Sequence, residues 1–382
     1  MSPQTLTHRQ LNRATLARQG LLSPFPPAPP ARAVARLAAI QAQHPDWPGF
    51  ALHSRLAADA PPPDIGAARR SRALVRASLM RMTVHLVAAD DFWPMSAVTI
   101  GYRRHQFRAL YKIDPDTSRL GRAMTAAQPA VLAAMRKQAL SIAEIEAILR
   151  GELGRREIPP NRALWRHFSG SVPLVMVPFD GETYGRARYL PATDWLGGTP
   201  QDLAPEDAAV RLAERYLSAF GPASVDDFAA FVGRGRQLAL LRAAIERLAD
   251  RLVRYRDQSG RDLLDLVGAP LPDADEPAPP RLLARWDSVL LAFGTRDRAR
   301  ILPPARQSTV ITRNADVLPT FLIDGFVAGT WLPRHDAGGE PRAELRPFGR
   351  LSTTDRGSLE AEAARLLPTL GTGAFGRYPG TD

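Results

Sequence analysis

The chain of 382 residues contains no cysteine. That excludes disulfides, thiolate zinc sites, cysteine-ligated iron–sulfur clusters and a cysteine nucleophile. Lysine is nearly absent too. Lys112 and Lys137 are the only two, so almost all of the 50 basic residues are arginine. No apolar run is long enough to cross a membrane. The N-terminal stretch MSPQTLTHRQLNRATLARQG lacks the apolar segment of a secretory signal. A cytoplasmic protein without membrane contact is therefore expected. No Gly-rich phosphate loop is present. His8, His44, His53, His105, His167 and His335 are scattered without metal-ligand spacing. Neither a metal nor a cofactor is expected.

What is abundant is positive charge. Fifty Lys and Arg face 39 Asp and Glu, for a net charge of +11 and a pI near 10.7. A balance of this size predicts a polyanionic partner such as nucleic acid. Arginine supplies planar forks that stay charged and match phosphate oxygens. Hydrophobic residues make up 45% and charged residues 23%, as in ordinary folded proteins. The length predicts roughly two to four domains.

An acidic, Pro-rich stretch at residues 269–280, APLPDADEPAPP, divides two unlike regions. Before it, helices alternate with hairpins. Ser141 and Glu144 form a capping box ahead of SIAEIEAILR. The basic helix NRALWRHFSG follows, then LVMVPFDGETYGRARYL, two strands around Asp180-Gly181. Further on, GPASVDDFAAFVG and QLALLRAAIERLAD read as helices, and LVRYRDQSGRDLLDLV as a hairpin turning at Ser259-Gly260. A first, looser copy has RALVRASLM as a basic helix and RMTVHLV as a strand. Helices followed by a small hairpin describe a winged helix, a DNA-docking variant of the helix-turn-helix. After the linker, WDSVLLAF, STVITR, PTFLI and FVAGTWL read as strands, with a hairpin turn at Asp324-Gly325. The predicted fold class is α+β: tandem winged helices over residues 1–95, 96–200 and 201–270, then a barrel-like β-rich domain over 281–382.

The stretch ARLAAIQAQHPDW breaks its own pattern. Val34, Leu37, Ala38 and Gln41 fall on one helical stripe, which places a long amide at an apolar position. His44 precedes Pro45 and so disfavours the α conformation. The helix should end here, and in extended chain Gln41 and Gln43 then point the same way. Two readings follow: a buried glutamine bonding the backbone at a helix end, or two converging amides that hold a water. Asp46 is either a nearby base or the cap of the turn after Pro45. Thr83 and His85 share one face of their strand. His85 then touches a DNA backbone or serves as a structural histidine. Arg281, Arg285, Arg296, Arg298, Arg300 and Arg313 cluster at the start of the β-rich region, as phosphate contacts or as a solvated surface.

Taken in order, AAIQAQHP, LVRASLMRMTVHLVAADDFW, GPASVDDFAAFVG and RWDSVLLAFGTRDRARILPP through FLIDGFVAGTW resemble one family. It is the bacterial winged-helix DNA glycosylases of the AlkZ and AlkX (YcaQ) type. The resemblance covers nearly the whole chain. It implies tandem winged helices that cradle DNA, a following β-barrel, and repair of bulky alkylation and interstrand crosslinks. It implies a catalytic motif of Gln, an aliphatic residue, then Gln or Asp. Gln41-Ala42-Gln43 matches the Gln-Gln form, with the smallest aliphatic residue between. An amide orients water but is a poor base. Losing a general base forfeits about 10²- to 10⁴-fold. Only an excellent leaving group tolerates that, which points to cationic purines such as N7-alkylguanine. The expected partner is double-stranded DNA carrying alkylated purines. The alternative is a non-catalytic winged-helix DNA-binding protein or regulator, which is usually a dimer on palindromic sites. No heptads that would pair two copies are visible, and a monomer is expected.

The scarcity of lysine yields a prediction. Glycosylases that also nick the strand use an amine to form a Schiff base with the sugar. Arginine stays protonated and cannot replace it. The expected product is a free base and an intact abasic strand. Borohydride trapping on a lesion-containing duplex checks this. A covalent adduct lost on Lys112→Ala or Lys137→Ala would overturn it.

Overall fold

The helix expected to run into the Gln41 stretch stops at Arg36. In this computed structural model, the Pro30–Arg36 helix is capped by Leu37, and Ala38 turns the chain with a φ of 61°. Val34, Leu37 and Ala38 are all buried, so the apolar spacing outlasts the helix that it suggested. The structure describes residues 3–154, 159–160, 162–183, 185–198, 203–233, 238–313 and 316–375. None of the described helices is long and apolar enough to cross a membrane.

The strands in chain order are β1 (Gln4–Leu6), β2 (Ile40–Gln41), β3 (Leu74–Ser78), β4 (Val84–Ala88), β5 (Leu174–Val177), β6 (Arg188–Pro191), β7 (Leu252–Asp257), β8 (Asp262–Leu266), β9 (Arg281–Leu283), β10 (Thr320–Ile323), β11 (Phe326–His335) and β12 (Pro341–Pro347). They build three sheets. The largest has the order β2-β4-β3-β5-β6 and is antiparallel throughout. RALVRASLM, expected to be a basic helix, contributes its β3. Leu74 to Ala77 are buried on both faces, and such a run has no period to separate strand from helix. β3 meets β5 at Arg76 opposite Met176. The hairpins of the first and second helix–hairpin segments thus share one sheet.

Local signals in the middle of the chain behave as expected. Ser141 and Glu144 cap the Ile142–Leu153 helix reciprocally. The basic helix spans Ala163–Ser171, and β5 and β6 pair across a loop longer than the expected Asp180-Gly181 turn. Ser224 and Asp227 box the Val225–Val232 helix. β7 and β8 form the expected hairpin, with Gly260 at φ 81°. β1 adds to it in parallel, so the N-terminus completes a sheet begun late in the chain.

The last sheet has the open order β12-β11-β10-β9 and does not close, which corrects the barrel expectation. Two of its expected strands are short helices. WDSVLLAF forms Ser288–Leu291, because the Asp287 carboxylate accepts from Val289 N and caps it. STVITR forms Gln307–Val310. β10 and β11 are as expected, joined by Asp324 and Gly325 at φ 47° and 84°. Both being left-handed is what a tight hairpin turn needs.

The C-terminal sheet shares its core with the first segment. Trp331 of β11 packs 5.7 Å from Trp47 and 5.2 Å from Phe50, ring centre to ring centre. The stretch expected to be a linker is strapped down. Arg9, Arg13 and Arg18 of the His8–Arg18 helix donate to the carbonyls of Ala274, Glu276 and Pro270. A buried ion pair, Arg55 Nη2 with both Asp287 oxygens at 2.7 and 2.9 Å, ties the first segment to the start of the C-terminal region. Removing one member of a buried pair strands the other, at a cost of about 3–5 kcal/mol. Asp287→Ala is expected to lower the unfolding free energy from denaturant titrations by that amount, and Arg55→Met with Asp287→Leu by much less. Equal losses in the two would show that the charge pairing is not what matters.

Candidate active site

After the Ala38 turn, the chain enters the sheet as β2, with Gln41 opposite His85 of β4. Ala42 N donates to Val84 O at 2.8 Å. β2 is only two residues long, and a side chain then continues its ladder. Gln43 Oε1 accepts from Val84 N at 3.0 Å. Gln41 is buried and Gln43 half-buried.

Behind the stretch lies an ionic cluster. Arg76 of β3 donates through Nε to Ala42 O at 3.0 Å and through Nη2 to Gln43 O at 3.2 Å. Its remaining nitrogen, Nη1, bonds Glu182 at 2.7 Å. Arg69 holds the same carboxylate with two bonds, 2.6 and 3.0 Å. Burial pulls the Arg76 guanidinium below its ordinary value, and Glu182 opposes that.

In front lies Arg81, in the β3–β4 turn. It donates to Gln41 Oε1 at 3.0 Å and approaches His85 Nε2 at 3.3 Å. Its other terminal nitrogen reaches Phe231 O at 2.7 Å. Arg81 and Met82 both have left-handed φ, 53° and 58°. Two such residues in a row that are not glycine store strain, and this turn carries the guanidinium. Burial, then the charge of Arg298, lowers Arg81 to about 10, so it is protonated at neutral pH. His85 Nδ1 lies 3.0 Å from Thr83 O. That fixes the proton on Nδ1 and leaves Nε2 to accept from Arg81. Burial, then Arg81, pushes His85 down to about 3. It is a neutral imidazole. Thr83 turns its hydroxyl to Met80 O at 3.0 Å.

Gln41, Gln43, Thr83 and His85 are thus gathered in one place. Asp46 sits elsewhere, 3.5 Å from His44 Nδ1 and hard against Gly371 and Gly373. It makes no cap bond to the helix that follows it. The six arginines disperse. Arg285 forks onto Asp316 at 2.9 and 2.6 Å, and Arg281 bonds Leu21 O and Glu362. Arg300 is buried over the Phe293 ring and donates to Pro222 O. These three hold the fold together. Arg296 is exposed beside Ser259, and Arg313 is exposed. Arg298 is the one of the six whose charge reaches Arg81. Reading the residues missed Arg76, Arg81 and Glu182. RALVRASLM, which holds Arg76, read as a helix, Arg81 opens the run RMTVHLV that read as a strand, and no glycine marks the left-handed turn between β3 and β4.

The neutral histidines make an acid-stability prediction. Unfolded, His85 titrates near 6.5; folded, it refuses a proton down to about 3. His167, buried and held at about 4, behaves alike. Between these values the unfolded chain binds more protons, so stability is full above pH 6.5 and falls as the pH drops. Each contributes at most about 1.4 kcal/mol per pH unit. His85→Gln is expected to lose less stability than the parent between about pH 7 and pH 5.5. Identical slopes in denaturant titrations would show that His85 is not held neutral.

Comparison with known proteins adds to this geometry. A family model described as DNA glycosylase AlkZ-like matches residues 34–369. An interstrand DNA cross-link repair glycosylase from Streptomyces sahachiroi is 31% identical over 153 residues, 37% of this chain and 38% of that protein. The match thus spans well under half of that relative. The solved Streptomyces sahachiroi DNA glycosylase AlkZ superposes with a TM-score of 0.74 at 20% identity, covering 95% of this chain and 97% of that one. At that identity the likeness speaks for the mixed α+β fold. Because the family match runs over most of the chain and includes Gln41-Ala42-Gln43, this protein belongs to the AlkZ-like DNA glycosylase family.

Proposed function

We propose that the protein hydrolyses the N-glycosidic bond of cationic alkylated purines in double-stranded DNA, of the N7-alkylguanine type, including crosslinked ones. The helix–hairpin units at residues 1–95, 96–200 and 201–270 act as winged helices that cradle the duplex, and one copy of the chain suffices. Thr83 and His85, with Arg296, Arg298 and Arg313, lie toward the DNA in this reading, at home in the cytoplasm and on the nucleoid.

The observation that carries the reading is how the two amides are held. Among the described residues, Gln41 Oε1 has one donor, Arg81, and Gln43 Oε1 has one, Val84 N. Each amide oxygen has two lone pairs, so one remains on each. A water that gives one hydrogen to each oxygen turns its own lone pair outward, toward C1′ of the sugar. The C1′–N9 bond breaks, its electron pair neutralises the purine cation, and the water oxygen bonds C1′. Solvent takes the water's proton, because an amide cannot hold it. Such a site orients a nucleophile without activating it strongly, so it suits a base that leaves easily.

Gln41→Ala and Gln43→Ala are each expected to cut release of N7-methylguanine from a duplex by at least about 100-fold. DNA affinity should stay within a few-fold. Wild-type excision rates in both variants would sink the site. No release by the parent protein, together with tight binding to one palindrome as a dimer, would leave the regulator.

A further inference from the structure

Most deeply buried arginines here have a carboxylate. Arg18 has Asp265, Arg55 has Asp287 and Arg76 has Glu182. Arg103, on the Ala89–Tyr111 helix, is 8% exposed and has none among the described residues. Its terminal nitrogens reach only the carbonyls of Ser169 and Ser78, and its Nε has no partner. Burial lowers it to about 10, which still leaves it charged at neutral pH. A buried charge without a counter-ion is costly unless an anion comes to it.

Arg103 lines a cavity of about 280 Å³ between its own helix and the Ala163–Ser171 helix. Arg162 and Arg166 line the same cavity, and no carboxylate does. Both are exposed and make no ion pair among the described residues. Trp165 supplies an apolar wall, its ring 4.8 Å from that of Tyr189. A second cavity of about 310 Å³ shares Arg162 with the first and adds Arg186 and Arg188. Met82 lines the first cavity, and Met82 follows Arg81 in the turn that holds Gln41. One strained turn therefore has the candidate active site on one side and this basic cavity on the other.

We infer that the Arg103–Arg162–Arg166 cavity seats a backbone phosphate of the DNA strand beside the lesion, and that Arg162 leads the strand on to Arg186 and Arg188. Guanidinium forks match phosphate oxygens in pairs. A seat that shares Met82 with the turn carrying Arg81 sets the register of the lesion against Gln41. The inference rests on DNA being the substrate. Free phosphate would satisfy the same chemistry, and the test separates the two sources.

The test scans a lesion duplex with single methylphosphonate linkages, each of which removes one phosphate charge. Binding is measured for the full chain, Arg162→Ala, Arg166→Ala and Arg103→Lys. The parent should lose about 5- to 10-fold in affinity at one or two linkages. Arg166→Ala should lose a similar factor on unmodified DNA and become insensitive at those linkages. Its log–log salt slope should fall by about 1. Arg103→Lys should weaken the same linkages; if it fails to fold, the two exposed variants decide. Equal penalties in parent and variants at every linkage would overturn the seat, even if Gln41→Ala abolishes base release. Inorganic phosphate that binds by calorimetry in the parent but not in Arg166→Ala, without coupling to any linkage, would assign the cavity to a free anion and also overturn it. Linkage coupling in a protein that releases no base would uphold the seat and reject the hydrolase.

Discussion

Arg76 governs the geometry of the Gln41–Gln43 stretch. Its guanidinium bonds the carbonyls of Ala42 and Gln43 on one side and Glu182 on the other. Glu182 comes from the β5–β6 loop and is itself gripped by Arg69. The peptide that carries both amides is therefore fixed by charges from two segments far apart in sequence, one with Arg69 and Arg76 and one with Glu182. A two-residue strand has little ladder to keep it in place. Charge-assisted bonds supply what the short strand lacks. Such a cluster holds geometry better than it adds stability, because desolvation offsets most of the Coulomb attraction. The candidate site is thus held by position as much as by composition.

The same dependence on distant partners separates what could be read from what could not. The capping box at Ser141, and the turns at Ser259-Gly260 and Asp324-Gly325, are local chemistry, legible within a few residues. The extended chain through Gln41 and Gln43 was expected from Pro45, yet the helix already ends at Arg36, where Ala38 turns left-handed, and no local signal announced that. β3 was not, because a strand buried on both faces loses its alternation. Its neighbour β5 is an even less visible fact, since nothing local in LVRAS or LVMV specifies that they pair. Arginine is the hardest residue to assign. Arg300 and Arg285 belong to the interior, whereas Arg162 and Arg166 face solvent, and the letters alone are identical.

The charges around the amides also restrict how the proposed reaction is assisted. No carboxylate hydrogen-bonds Gln41, Gln43, Arg81 or His85 among the described residues, and none perturbs Arg81 or His85 beyond the weak phenol of Tyr102. The fixed charge beside Gln41 is positive. A sugar cation forming there gains nothing from the protein's nearest charge. The anions available to it are the phosphates of its own strand. At about 5 Å and an effective dielectric near 20, one phosphate is worth about 3 kcal/mol to such a cation. Arginines that seat those phosphates would then do more than bind. They would decide how close the strand's negative charge lies to C1′, and so how much of the missing carboxylate the substrate itself replaces. Neutral His85 fits this arrangement. An imidazolium beside Arg81 would add a second positive charge, and burial keeps that charge away.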